Sequence, residues 1–175
     1  MNKIIFIFTI FLILIGFGNY SFAQSSEFAQ TINPVVVIET NYGNLVIEFF
    51  PADATQHVMS FISLSSGGVN DGISYYDNTL FHRIIPGFMI QGGDPNTISG
   101  DPNTWGQGGP EEKLDAEFNS IKHNRGIVSM ARSADPNSAG SQFFIVHQDS
   151  NSLDGEYTAF GRLATEESFQ TLDKI

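Results

Sequence analysis

The residues best suited to chemistry lie between Phe81 and Asp94, in the run Phe-His-Arg-Ile-Ile-Pro-Gly-Phe-Met-Ile-Gln-Gly-Gly-Asp. Strand-like alternation along Arg83 and from Phe88 to Gln91 puts a cationic donor beside aromatic and thioether surfaces. Other chemistries lack their residues. There is no cysteine, which excludes disulfides, thiolate catalysis, Cys zinc sites and Cys-ligated iron-sulfur clusters. His57, His82, His123 and His147 lack the His-Glu-x-x-His spacing of a zinc hydrolase. Asp94, Asp101 and Asp115 do not follow the pattern of an EF-hand calcium loop. The run Gly106-Gln107-Gly108-Gly109 is not followed by the Gly-Lys-Ser/Thr of a phosphate loop. No metal and no cofactor are expected.

The charge balance narrows the partners. The chain of 175 residues carries 8 basic and 19 acidic residues, a formal charge of -11, which argues against nucleic acid and anionic membrane surfaces. One core is expected at this length. At the amino terminus Lys3 precedes a largely apolar run from Ile4 to Gly16, and Ser21-Phe22-Ala23 offers small residues at both positions of a cleavage rule. This pattern predicts a signal peptide over residues 1–23, a flexible arm over 24–33 and a single domain over 34–175. The apolar run is shorter than the roughly 20 residues of a bilayer span, so no stable membrane insertion is expected after cleavage. The mature chain is expected to be exported, periplasmic or secreted, and acidic and monomeric.

The elements that must position the Phe81–Asp94 residues are mostly short strands. Val35–Thr40 and Leu45–Phe50 read as a hairpin across an Asn/Gly turn. Val58, Phe61 and Ile62 give helical spacing within Ala54–Leu64, with Thr55 and Gln56 facing solvent. Leu80–Ile85 and Phe88–Gln91 read as strands around the turn Pro86-Gly87. Ile127–Ala131, Phe143–Val146 and Ala159–Leu163 are further strands. Phe169, Leu172 and Ile175 mark one side of a terminal helix over Glu166–Lys174. Between them, residues 92–120 are dense in Gly, Asp, Asn and Pro, a length unusual in a compact domain unless the loop shapes a site. Many short strands with one or two helices favour a small closed antiparallel barrel.

The Phe81–Asp94 run closely resembles the cyclophilin family of peptidyl-prolyl cis/trans isomerases. Further segments match in order: Gly106-Gln107-Gly108-Gly109, Glu117-Phe118, His123-Asn124-Arg125-Gly126, Ser129-Met130-Ala131-Arg132, Gly140 to Ile145, Leu153-Asp154-Gly155 and Phe160-Gly161. The resemblance implies a mainly β fold, an eight-stranded antiparallel barrel with two capping helices and a substrate groove on its outside. It implies catalysis of rotation about X-Pro bonds, with proline-containing peptides and unfolded or partly folded proteins as partners.

The same resemblance assigns roles. Arg83 is the implied catalytic residue, and Phe88, Met89, Phe144 and Leu153 the implied proline pocket. Gln91 and Gln142 match polar groove positions, and Ala131 and Arg132 match an edge that pairs with peptide backbone. His82 is placed at the site for orientation or packing, because amide rotation needs no general base. Tyr157 is placed along the groove, and Phe160, counted with the substrate-binding residues, is read as a wall or a barrel-packing residue and not as a direct catalyst. A folding enzyme for exported proteins is the leading reading; a proline-peptide binding module with little turnover is the alternative, which Arg83 disfavours.

Two departures stand out. Ser152 occupies the position where cyclosporin-sensitive relatives carry Trp, so weak binding of that drug is expected. The sequence stops at Ile175, before the final strand with which family members close the barrel. Either the reading frame continues beyond Ile175, or the chain tolerates an open sheet edge near Val35–Thr40.

Overall fold

The computed structural model describes residues 33–67 and 73–175. The expected signal peptide and all but the last residue of the expected arm lie outside the described residues. Strand β1 (Val35–Thr40) turns through Asn41 and Tyr42 into β2 (Gly43–Phe49). Gly43 has a φ of +131°, a region that a side chain disfavours, and it lets the two strands pair from Val35 opposite Glu48 to Thr40 opposite Gly43. Helix α1 (Thr55–Ser65) follows, then β3 (Arg83–Ile85) and β4 (Met89–Gly92), a four-residue helix α2 (Asn96–Ser99), β5 (Ile127–Met130), β6 (Phe143–Val146), β7 (Ala159–Leu163) and helix α3 (Glu166–Lys174).

The seven strands form one antiparallel sheet in the order β1-β2-β7-β5-β6-β4-β3. This is the expected mainly β antiparallel arrangement, with seven strands among the described residues where the resemblance implied eight. Among the described residues β1 and β3 are the sheet's two edges. Alternation along the strands divides the apolar residues into two clusters. Leu45, Ile47, Phe49, Ile90, Val128, Met130, Phe143, Ile145, Phe160 and Leu163 join Val58 and Phe61 of α1 and Leu172 of α3 in the main core. Met89, Phe144 and Val146 point the other way, and Ile85, Phe88, Ile127, Ala131, Leu153 and Tyr157 pack against them. On β1, Val36 and Ile38 pack on the core, whereas Val35 and Val37 are 56% and 48% exposed.

The helices differ from expectation in detail. The buried face of α1 consists of His57, Val58, Phe61 and Leu64, and Ile62 is turned outward. With successive residues about 100° apart, that face centres near Phe61 and leaves Ile62 at its margin. No side chain beside the helix caps its first turn. The cap comes from Glu117, sixty residues along the chain, whose carboxylate accepts from the backbone amides of Gln56 and His57 at 3.1 and 3.0 Å and lies 2.6 Å from His57 Nδ1. Burial alone would raise the Glu117 pKa, but the hydrogen bonds from His57 and from both amides hold it below the ordinary value. In α3 the buried residues include Ser168 and Thr171 as well as Leu172. Strand β3 begins at Arg83 and not at Leu80; Leu80 instead donates its amide to Thr97.

Candidate active site

Pairing register places the site. Arg83 on β3 stands opposite Gln91 on β4, Gln91 opposite Phe144 on β6, and Phe144 opposite Ser129 on β5. Residues paired in register point to the same face, so one row crosses four strands from a cation through an amide to an aromatic ring. The turn between β3 and β4 is made by Pro86 and Gly87, the latter at a φ of +74°, and it brings Phe88 and Met89 beside this row.

A cleft of about 620 Å³ opens over that face. Its lining contains His82, Arg83, Phe88, Met89, Gln91, Ala131, Arg132, Phe144, Leu153 and Tyr157. Met89 and Phe144 are almost fully buried in its floor. Tyr157 meets Phe144 edge to face at 5.5 Å between ring centres. Leu153 ends a short 3-10 turn, Asn151–Leu153, and closes one side. The floor is thus apolar and the rim polar, which suits a small saturated ring attached to a peptide backbone.

The two arginines are held differently. Arg132 donates to the carbonyls of Glu156 and Ser133, both at 3.0 Å, pairs with the Glu156 carboxylate at 3.5 Å and sits over the Tyr157 ring at 4.7 Å. Its donors are occupied, and it braces Tyr157. Arg83 is exposed, forms no ion pair among the described residues, and donates to Gln91 Oε1 at 3.3 Å. A cation with one weak anchor has donors left for a substrate. Both ring nitrogens of His82 are buried and lack a partner among the described residues. Burial pushes the His82 pKa below the ordinary histidine value, so the ring is neutral near pH 7.

Two expected groove residues lie elsewhere. Phe160 is fully buried in the main core, stacked on Phe49 with 5.9 Å between ring centres. It faces the sheet's other side and so cannot be a groove wall. Gln142 is absent from the lining; it accepts from Gln91 Nε2 at 2.9 Å and donates to the Gly108 carbonyl at 2.8 Å. It orients Gln91 rather than facing the cleft. Conversely, Pro102, Trp105 and Gly106 line the cleft and were not among the residues expected there. The sequence signals for them were the unusual length of the Gly-rich segment that carries them and, for Gly106, its place in the matching run Gly106-Gln107-Gly108-Gly109.

Behind the cleft, His123 and Ser129 are fully buried. His123 Nδ1 lies 3.1 Å from Asp154 Oδ1 and Nε2 lies 3.0 Å from Ser129 Oγ, while Asp154 also accepts the His123 amide at 2.8 Å. Ser129 has no solvent access, so this Ser-His-Asp line is a brace and not a nucleophile. A second cavity, of about 540 Å³, lies between β2, β5, β7 and α3 and is lined by Lys122, Arg125 and Arg162. Those cations are already paired with Asp154, Asp173 and Glu48, so this cavity offers no counterpart to Arg83, which forms no ion pair among the described residues.

Comparison with known proteins agrees with this geometry. The family model described as cyclophilin type peptidyl-prolyl cis-trans isomerase/CLD matches residues 35–175. A peptidyl-prolyl cis-trans isomerase of Helicobacter pylori is 40% identical over 87% of this chain and 85% of its own length. One from Synechococcus elongatus is 40% identical over 79% of this chain and 86% of its own. The crystal structure of a Cryptosporidium parvum cyclophilin type isomerase, determined in the presence of the dipeptide Ala-Pro, matches with a TM-score of 0.67 and 39% identity, covering 80% of this chain and 85% of that one. Matched over nearly every described residue, and carrying a cationic donor beside an apolar cleft on the outer face of its sheet, the chain belongs to the family of cyclophilin type peptidyl-prolyl cis-trans isomerases.

Proposed function

We propose that Arg83 supplies the donor that favours the twisted X-Pro bond, that Phe88, Met89, Phe144 and Leu153 receive the prolyl ring, and that the enzyme assists folding of exported proteins. Rotation about the bond makes and breaks no covalent bond. It requires loss of amide resonance against a barrier of roughly 18 to 20 kcal/mol. As the nitrogen becomes pyramidal its lone pair becomes an acceptor that neither planar state offers. A guanidinium aimed at that position binds the twisted state more strongly than either ground state, which is the condition for catalysis. The apolar floor holds the ring without placing hydrogen-bond demands on it, and a neutral His82 is compatible with a reaction that moves no proton.

The observation that carries this reading is the contrast in anchoring: among the described residues Arg83 forms no ion pair at the rim, and its one side-chain partner is Gln91. Arg83→Ala is expected to lower turnover of an X-Pro peptide by roughly 10²- to 10³-fold, the usual loss for one transition-state donor. Melting should change little, since the side chain supports no core. Arg83→Lys should restore charge and little rate if the fork geometry matters. Near-normal turnover in a folded Ala variant would move the assignment to a binding module. The role outside the cytoplasm rests on the amino-terminal pattern, and mass analysis of expressed protein should find chains beginning at Gln24; an intact Met1 in the soluble exported fraction would contradict it.

A further inference from the structure

The polar side chains beside the cleft form one hydrogen-bonded line with a fixed direction. Arg83 donates to Gln91 Oε1 at 3.3 Å, Gln91 Nε2 donates to Gln142 Oε1 at 2.9 Å, and Gln142 Nε2 donates to the Gly108 carbonyl at 2.8 Å. One end is a guanidinium, which only donates, and the other a carbonyl, which only accepts. Both amides between them therefore have a single consistent orientation. A flip of either would set donor against donor or acceptor against acceptor.

The carbonyl end is itself held. Asp94 is 0% exposed, and its carboxylate accepts from the backbone amides of Asn96 at 2.8 Å, Gly108 at 3.3 Å and Gly106. Burying a carboxylate is costly unless its oxygens are satisfied, and these three amides do so without a cation. Asn96 adds a side-chain bond to the Thr104 carbonyl at 3.0 Å. A Cβ on Gly108 would collide with the Asp94 carboxylate, so glycine is what permits the close approach. The Gly-rich loop carrying Pro102, Trp105 and Gly106 is thereby pinned to the end of β4, the strand that carries Gln91.

We infer that Asp94 and Gln142 are positioning residues for Arg83: Asp94 fixes the loop, the loop carbonyl of Gly108 orients Gln142, and Gln142 orients Gln91 so that its oxygen holds the guanidinium. The inference rests on the reading of Arg83 as the rate-determining donor. It makes the loop wall and the cation one unit, although no side chain of the loop touches Arg83 in this line.

The test uses the full mature chain and one X-Pro peptide. Gln142→Met keeps the size of the side chain and removes both hydrogen-bonding ends. It should lower kcat by about tenfold, in line with loss of one oriented hydrogen bond, with KM and melting nearly unchanged because the apolar floor is intact. Asp94→Asn should lower kcat similarly and also shift the emission of Trp105, the only tryptophan in the chain, which sits in the pinned loop. Because the links act in series, the double variant should lose little more than either single one; additive losses would overturn the line. Wild-type kcat in folded Gln142→Met would also overturn it. If Asp94→Asn does not fold, Gln142→Glu, which keeps the acceptor for Gln91 and opposes the Gly108 carbonyl, decides in its place: an unchanged kcat there sinks the inference. Measured alongside, Arg83→Ala separates the two readings. Loss of turnover in Arg83→Ala with none in Gln142→Met rejects only the positioning line, whereas near-normal turnover in Arg83→Ala rejects the reading beneath it.

Discussion

Phe143 and Phe144 are neighbours in the chain, of the same type and almost equally buried, yet they serve opposite sides of β6. Phe143 meets Phe61 of α1 edge to face at 5.3 Å and belongs to the main core. Phe144 stacks on His123, meets Tyr157, and forms the floor of the cleft. The inner cluster is closed by two helices. The outer one is flanked by the Asn151–Leu153 turn and by the loop carrying Pro102, Trp105 and Gly106, and stands open above. A buried aromatic can therefore be either packing or site, and what decides is whether anything covers the face it occupies.

Truncating each ring should separate the two roles. Phe143→Ala opens a void within the closed core and is expected to cost about 3 to 5 kcal/mol, read as a large fall in melting temperature with KM of any folded fraction little affected. Phe144→Ala opens into a cleft that water already reaches, so the stability loss should be smaller than for Phe143→Ala while KM for an X-Pro peptide rises severalfold. Equal stability losses from both, with equal KM, would break the distinction between a packing face and a site face.

The third expected effect concerns how the inner face is anchored at its helix. Glu117→Ala removes the distant cap of α1 and leaves the fully buried His57 without its carboxylate partner. About 1 to 3 kcal/mol is expected from the lost cap and the unsatisfied buried group together, read in denaturant melts, with turnover unchanged once folded. A loss confined to turnover would show that the cap serves the cleft instead.

The smallest effect is a pH dependence written into the brace beneath the outer face. Burial depresses the pKa of His123 against the opposing pull of Asp154, and His82 is depressed likewise by burial. The folded state then binds fewer protons than the unfolded one below the ordinary histidine pKa of about 6.5, so stability falls as pH drops through that region. Asp154, accepting the His123 amide first and further bonds from His123 and Lys122, is held down to about 2. Its contribution is present above the ordinary carboxylate pKa of about 3.9 and is lost as pH falls towards 2. Melting followed from pH 7 to pH 2 should show both limbs, and His123→Gln should shrink the upper one while leaving the part owed to His82. An upper limb of undiminished slope in that variant would remove His123 from the account.

Much of this was readable along the chain. β1, β5, β6, β7 and α3 fall within a residue of their expected bounds, because alternating β-branched and aromatic runs between glycine and asparagine turns have few other ways to bury themselves. The run from Phe81 to Asp94 marked the site, and ten of the twelve expected site residues line one cleft. The exceptions are instructive. Phe160 has the composition of a groove wall, but its position on β7 aims it into the main core. Gln142 is as polar as Gln91, but its partners are another side chain and a loop carbonyl.

Local pattern is a record of neighbours within a strand or a turn of helix, and it settled which segments form strands and helices and which residue types could serve proline chemistry. It holds no information about partners sixty residues apart, such as Glu117 capping α1, or about which carbonyl of a long loop meets which amide. Those contacts form only when the sheet brings separate segments within hydrogen-bonding distance. The apolar floor of the cleft was thus legible only through the resemblance that the ordered motifs carry, since Phe88, Met89, Phe144 and Leu153 read locally as core residues, whereas the hold on Arg83, through Gln91, Gln142 and a loop pinned by Asp94, was decided by tertiary structure.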